Sequence, residues 1–303
     1  MNQNEYIELC NGLEEMAEKY KNLQTSDLVR DGKRVQDYKG LLKKGRIWTL
    51  LKRLLRHNNE VDTYIQDTWE LPYYPNDYRA DKKIAVYTAL FGKYDNLPEP
   101  IICPNNIEYY VFTDGEVSEG SKWNKIDITP FEDKIGSLNN AEKNRFFKIL
   151  PHKVFQNYEY SIYVDANVLI VSDLTPMIKT LDTFPIAMFL HKNRDCVYEE
   201  AKACIIKGKD SPERIKKHIF LLEQHDVPHH YGLLEATLIV RKHNEDKCQK
   251  LMQCWWEEFL EESKRDQLSL IDTLWNNKIP VETIGVLGNN LLKCNKFIVL
   301  PHN

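Results

Sequence analysis

The chain has 303 residues, 42% of them hydrophobic and 11% aromatic, with a formal net charge of −4 and seven cysteines. This composition supports a globular core and argues against a disordered chain, and its charge gives no general attraction for nucleic acid. An odd cysteine count without a C-x-x-C pair favours neither a disulfide framework nor zinc or redox chemistry, so reduced thiols in a cytosolic protein are expected.

The opening MNQNEYIELC lacks the basic-then-apolar layout of a signal peptide, and no apolar run approaches the roughly 20 residues that span a bilayer. Residues 1–28 read as a charged helix. Residues 30–57 are locally basic, and LLKKGRIWTLLKRLLR within them puts Leu41, Leu42, Ile47, Trp48, Leu51, Leu54 and Leu55 near one helical face, interrupted by Gly45. Two readings stay open. One is a peripheral membrane contact through 30–57, drawn to anionic lipid at the inner face of the cell membrane. The other is a helix packed on the main domain with a solvated basic face. WELPYYPNDYRADKK (69–83) is aperiodic and rich in proline and aromatics, which reads as a linker. The expected division is a helical extension over 1–80 and one domain over 81–303.

Beyond the linker the pattern changes. KKIAVYTALFG, EYYVFTD, YEYSIYVDANVLI, FPIAMFLH and GLLEATLIVRKH read as strands. NNAEKNRFFKILPHKVF, SPERIKKHIFLLEQH and EDKCQKLMQCWWEEFLEESK read as helices between or after them, and RDQLSL opens another. Strands alternating with helices predict an α/β domain with a mainly parallel sheet. Ligands of such sheets bind beyond the carboxyl ends of the strands. Three polar clusters fall there: Thr88 to Asp95, then Thr113 and Asp114, then Asp165 to Asn167. Asp and Asn oxygens suit Mg²⁺ or Mn²⁺, which take few protein ligands plus substrate phosphate. In an extended strand Asp165 and Asn167 would face the same way, toward one metal–diphosphate unit. As a plain strand end, the same residues would be turn chemistry. Arg145 and Lys148, three apart, share a helical face that either neutralises phosphate or is merely solvated.

Four blocks in order, VYTALFGKYD, YYVFTD, NRFFKILPHKVF and YSIYVDANVLIVSDL, resemble a glycosyltransferase-like family long catalogued as a domain of unknown function. Its plant members are linked to mucilage pectin and its bacterial members occur in polysaccharide loci. The resemblance covers roughly residues 82–280. It implies a GT-A-like nucleotide-sugar-binding fold and transfer of a sugar, from a UDP-sugar or related donor, to a hydroxyl acceptor. Bacterial capsule or lipopolysaccharide synthesis would be the setting, with a saccharide or lipid-linked saccharide as acceptor.

The resemblance also implies roles. Thr88, Ala89, Tyr94 and Asp95, preceded by Tyr87, would line the base and ribose, and Asp114 would contact the nucleoside. Arg145 and Lys148 would face the diphosphate or sugar. Asp165 and Asn167 match the D-x-D position that ligates Mn²⁺ or Mg²⁺, with an amide in place of the second acid. A late histidine, His302, is a third metal-ligand candidate. His191 and Arg194 in HKNRDCVYEE join the donor-binding set. Asp266 and Gln267 match a D-Q pair that touches the sugar and acceptor. Asp266 and Glu235 compete as catalytic base, needed in an inverting reaction and dispensable in a retaining one. Two rivals remain. A haloacid-dehalogenase-like phosphohydrolase would use YVDANVLI, although Asn167 removes its acid–base group. A non-catalytic scaffold in a polysaccharide assembly is the other.

Overall fold

The structure, a computed structural model, describes residues 1–25, 74–78, 80–92 and 96–301. The basic segment 30–57 and three site candidates, Tyr94, Asp95 and His302, lie outside the described residues.

IAVYTAL forms β1 (Ile84–Leu90), buried along nearly its whole length. A strand covered on both faces is apolar throughout, which fits a central place in a sheet. β1 pairs in parallel with β2 (Ile107–Thr113) and with β4 (Tyr160–Val164). β3 (Asn124–Lys125) continues the parallel set beyond β2. On the other side β7 (Leu234–Arg241) runs antiparallel to β4, and β6 (Ile186–Leu190) antiparallel to β7. The order is β3-β2-β1-β4-β7-β6, a mainly parallel sheet as expected. A separate antiparallel pair joins β5 (Val168–Ile170) to β8 (Phe297–Val299).

The helices are α1 (Gln3–Thr25), α2 (Glu132–Ile135), α3 (Asn140–Ile149), α4 (Val197–Lys207), α5 (Pro212–Gln224), α6 (Asp246–Glu261), α7 (Asp266–Asn276) and α8 (Val281–Ile284). The alternation of the strands divides the core. Tyr87, Phe112, Tyr163 and Ile239 pack on one face with Phe147 of α3, Trp255 of α6 and Leu270 of α7. Val86, Tyr109, Ile162 and Val240 pack on the other with Met177, Leu181 and Phe297. Trp255 and Trp256 are core residues, as their helical stripe suggests. α1 is tied to the second face through Glu14, which meets the buried Lys296 ammonium at 2.9 Å.

Two expected elements are shorter than their sequence pattern, and α4 and the short α2 and α8 were not expected. The run 158–170 is not one strand. Val168 N–H donates to Asp165 O at 3.0 Å, closing a turn, and Leu300 N–H donates to Asn167 O at 2.8 Å, drawing the chain onto β8. The helix expected over 139–155 stops at Ile149, because Pro151 has no N–H to continue it and restricts the residue before it. α4 carries an amphipathic pattern, with Val197, Tyr198, Ala201 and Cys204 buried, and begins inside HKNRDCVYEE, the stretch that supplies His191 and Arg194.

Candidate active site

The carboxyl ends of β1, β2 and β4 point to one side of the sheet, and antiparallel β7 begins there. At the end of β1, Gly92 adopts φ +74°, a conformation glycine takes without strain. Its N–H donates to Asp114 Oδ1 at 3.1 Å, so Asp114 pins the β1 loop to the β2 loop. A Cβ on Gly92 would run into the side-chain amide of Asn140. Thr88 and Ala89 have no exposed surface and belong to the core, so they line no donor wall. Tyr87 is equally buried and gives its hydroxyl hydrogen bond to Lys148 O at 3.0 Å.

α3 supplies the cations. Its amino end is closed by a reciprocal capping box, Asn139 Oδ1 accepting from Glu142 N at 3.1 Å and Glu142 Oε2 from Asn139 N at 3.0 Å. Asn144 donates to Ala89 O and fixes the helix against β1. Arg145 and Lys148 share a face, and both reach Asp266 in the first turn of α7. Lys148 Nζ donates to Asp266 Oδ2 at 2.6 Å. Arg145 Nε lies 3.2 Å from the same oxygen without hydrogen-bond alignment, an ion pair rather than a directed bond. The Lys148 and Asp266 side chains are 2% and 4% exposed, so this is neither a solvated face nor an open acceptor contact. Burial alone would raise the Asp266 carboxyl; Arg145, Lys148 and Arg265 outweigh it and hold the group below the usual carboxylate range. Asp266 is therefore an ionised counterion and a poor proton acceptor.

Asp165 follows β4. Its N–H donates to Thr237 O at 2.9 Å, continuing the ladder to β7 by one bond. Its Oδ1 accepts from Tyr163 hydroxyl at 2.9 Å and lies 3.7 Å from Lys148 Nζ. Asn167 is inside the turn, so the same-face argument for an extended strand does not hold. Its Nδ2 donates to Leu300 O at 2.6 Å, and since a carbonyl only accepts, the amide oxygen takes the other branch.

A register shift in the β6–β7 ladder lies beside this turn: Met188 pairs with Ile239, but Phe189 pairs with Glu235. Bulges of this kind re-aim side chains. Glu235 is half-buried here and accepts from Thr237 hydroxyl at 3.0 Å. Burial raises its carboxyl; the Thr237 bond opposes this, and the Asp165 charge adds to it. Gln267 is buried and donates to Leu234 O at 3.1 Å, bracing the start of β7.

His191 and Arg194 follow β6, beyond β7 from the Asp165 turn. Arg194 Nε donates to Glu200 Oε2 at 2.7 Å. Burial pulls the His191 imidazole down to about 4. Its Nδ1 accepts from Arg194 N at 3.1 Å, which leaves the ring proton on Nε2. His191 is a neutral donor rather than a base.

Arg145, Lys148, Asp165, Glu235, Asp266 and Gln267 thus converge, while Thr88 and Ala89 do not join them. Sequence reasoning missed Tyr163 and Thr237. For Tyr163 a signal existed, since it lies two residues before Asp165 on the same face of β4. For a divalent cation, Asp165 and Asn167 offer two hard oxygens, one charged. That fits an ion completed by phosphate and water. Among the described residues no group of three or more His, Cys, Asp or Glu side chains is arranged to hold a metal. Among those residues, too, no helix is long and apolar enough to cross a membrane.

The family whose sequence pattern matches is TOD1/MUCI70, glycosyltransferase-like domain, over residues 70–285. No curated protein matches the chain. Among solved structures, the chain is similar to the WbbM bifunctional glycosyltransferase in its apo form, at 11% identity and a TM-score of 0.41. That alignment covers 70% of this chain and 39% of the other, so the chain spans well under half of that protein.

Proposed function

The chain belongs to the TOD1/MUCI70 glycosyltransferase-like family, and from that premise we propose that it moves a sugar from a nucleoside-diphosphate donor, a UDP-sugar first, to a hydroxyl of a saccharide or lipid-linked saccharide. The observation that carries this is the meeting of Lys148, Arg145, Asp165, Glu235 and Asp266 at the carboxyl end of the sheet. Nucleotide ligands of open α/β sheets occupy that end.

Asp165 and the Asn167 oxygen would hold Mn²⁺ or Mg²⁺, which supplies charge to the diphosphate as it leaves. Asp266 keeps Lys148 and Arg145 fixed beside that position. Such cations, preorganised in a water-poor site, stabilise developing negative charge more than solvated ones do. Glu235 is the better base. The Thr237 hydroxyl occupies Oε1, Oε2 remains for the acceptor's proton, and a raised carboxyl pKa favours proton uptake. Neutral His191 offers Nε2–H to a sugar or acceptor hydroxyl. A phosphohydrolase of the haloacid-dehalogenase type fits less well, since the Asn167 amide holds a structural carbonyl and supplies no acid.

The setting we propose is bacterial surface polysaccharide synthesis on the cytoplasmic side of the membrane, with 30–57 as the peripheral contact. Its support is the family resemblance of the sequence and the basic, amphipathic pattern of that segment. The test is a thermal-shift screen of nucleotide sugars with and without Mn²⁺, followed by donor hydrolysis. A shift and hydrolysis that both vanish in Asp165→Ala are expected. No response to any nucleotide sugar refutes the transferase and favours a scaffold; full activity and metal response in Asp165→Ala refutes the site.

A further inference from the structure

Strand alternation places Tyr163 on the same face as Asp165, two residues earlier. The Tyr163 ring is fully buried, 5.4 Å from the Tyr87 ring and 5.1 Å from the Lys148 ammonium. Its hydroxyl donates to Asp165 Oδ1 at 2.9 Å. The Asp165 backbone is fixed as well, by its bond to Thr237 O. Oδ1 thus faces the interior, held by Tyr163 and neighboured by Lys148. The Asp165 side chain is still 32% exposed, and among the described residues its Oδ2 takes no hydrogen bond or ion pair.

We propose that Tyr163 is a positioning residue, holding the Asp165 carboxylate so that Oδ2 stays turned toward the cation that would accompany the donor's diphosphate. The proposal rests on the nucleotide-sugar reading above. A freely rotating aspartate would divide its time among rotamers, whereas one anchored at Oδ1 presents the other oxygen continuously. Asn167, held at its amide nitrogen by Leu300, is oriented from the other end of the same turn.

The experiment is a double-mutant cycle on donor affinity in the full chain, read by calorimetry with UDP and Mn²⁺, for wild type, Tyr163→Phe, Asp165→Asn and the double variant. Phenylalanine keeps the ring packing and removes one oxygen. Tyr163→Phe is expected to weaken UDP about tenfold, as loss of a hydrogen bond to a charged group does. In the Asp165→Asn background it should change affinity less than about twofold, since a residue acting through Asp165 has nothing further to lose. Tyr109→Phe, which removes a buried hydroxyl that donates to Ile102 O at 2.9 Å on the opposite face of the sheet, should leave affinity unchanged. An unchanged Tyr163→Phe, or an equal loss in both backgrounds, overturns the assignment of Tyr163 alone. A wild type that binds neither UDP nor any nucleotide sugar overturns the functional reading and the proposal together.

Discussion

Replacing Asp266 with asparagine removes one charge from a buried triad and almost no volume. Lys148 and Arg145 then lose their shared counterion, and Asp165, 3.7 Å from Lys148, is the carboxylate left within ion-pair distance of Lys148 among the described residues. Breaking a buried pair by removing one partner costs about 3–5 kcal/mol. Asp165 offsets part of this, which puts the expected loss near 3 kcal/mol. For a domain of this size, that lowers the melting midpoint by about 6–12 °C. The pH dependence has a fixed sign. Asp266 is depressed in the folded state, so its contribution is present above the unfolded carboxylate value and is lost as pH falls through the folded one. The gap between wild type and variant should therefore narrow in acid. Urea unfolding followed by tryptophan fluorescence is a suitable assay, because Trp255 Nε1 donates to Asp266 O at 3.0 Å. Lys148→Met in the Asp266→Asn background should recover most of the loss by removing the stranded ammonium. A loss below about 1 kcal/mol, or a double variant as unstable as the sum of both singles, would refute the counterion role.

Other perturbations separate chemistry from stability. Glu235→Gln should lower kcat about 10²–10⁴-fold with little change in donor KM, checked by steady-state kinetics; an unchanged kcat removes Glu235 as the base. Asn167→Asp, which completes a D-x-D sequence, should be less stable in EDTA by about 1–3 kcal/mol, because it sets a carboxylate against Leu300 O. Added Mn²⁺ should restore part of that, and a variant stabler than wild type in EDTA contradicts the contact. Glu258 is raised to about 7, by burial first and then by the Asp272 charge. A raised carboxyl favours the fold while protonated and loses that contribution as pH rises through its folded value. Glu258→Gln should accordingly stabilise near pH 8 by about 1 kcal/mol, a value discounted for partial exposure, and should have no effect in acid. Melting curves across pH decide it.

Much of this protein was legible in one dimension. The strands beginning at Ile84, Ile107, Tyr160, Ile186 and Leu234 follow from apolar runs, and α3, α5 and α6 from helical spacing. The three-residue interval from Arg145 to Lys148 placed both cations on one face, because backbone geometry alone fixes that. Local pattern also put Asp165 at a strand end. What it could not fix were the partners. Lys148 could be read as solvated or as phosphate-binding, and only the meeting of α3 with the first turn of α7, 118 residues later, made it a buried counterion to Asp266. The choice between Asp266 and Glu235 as base likewise turned on burial and on which charges surround each carboxylate. The sequence offers Asn167 as an amide in place of a second acid, and its bond to Leu300, 133 residues away, gives it a structural task as well. Periodicity is written in neighbouring residues, whereas ionisation and hydrogen-bond choice depend on groups that folding alone brings within a few ångströms.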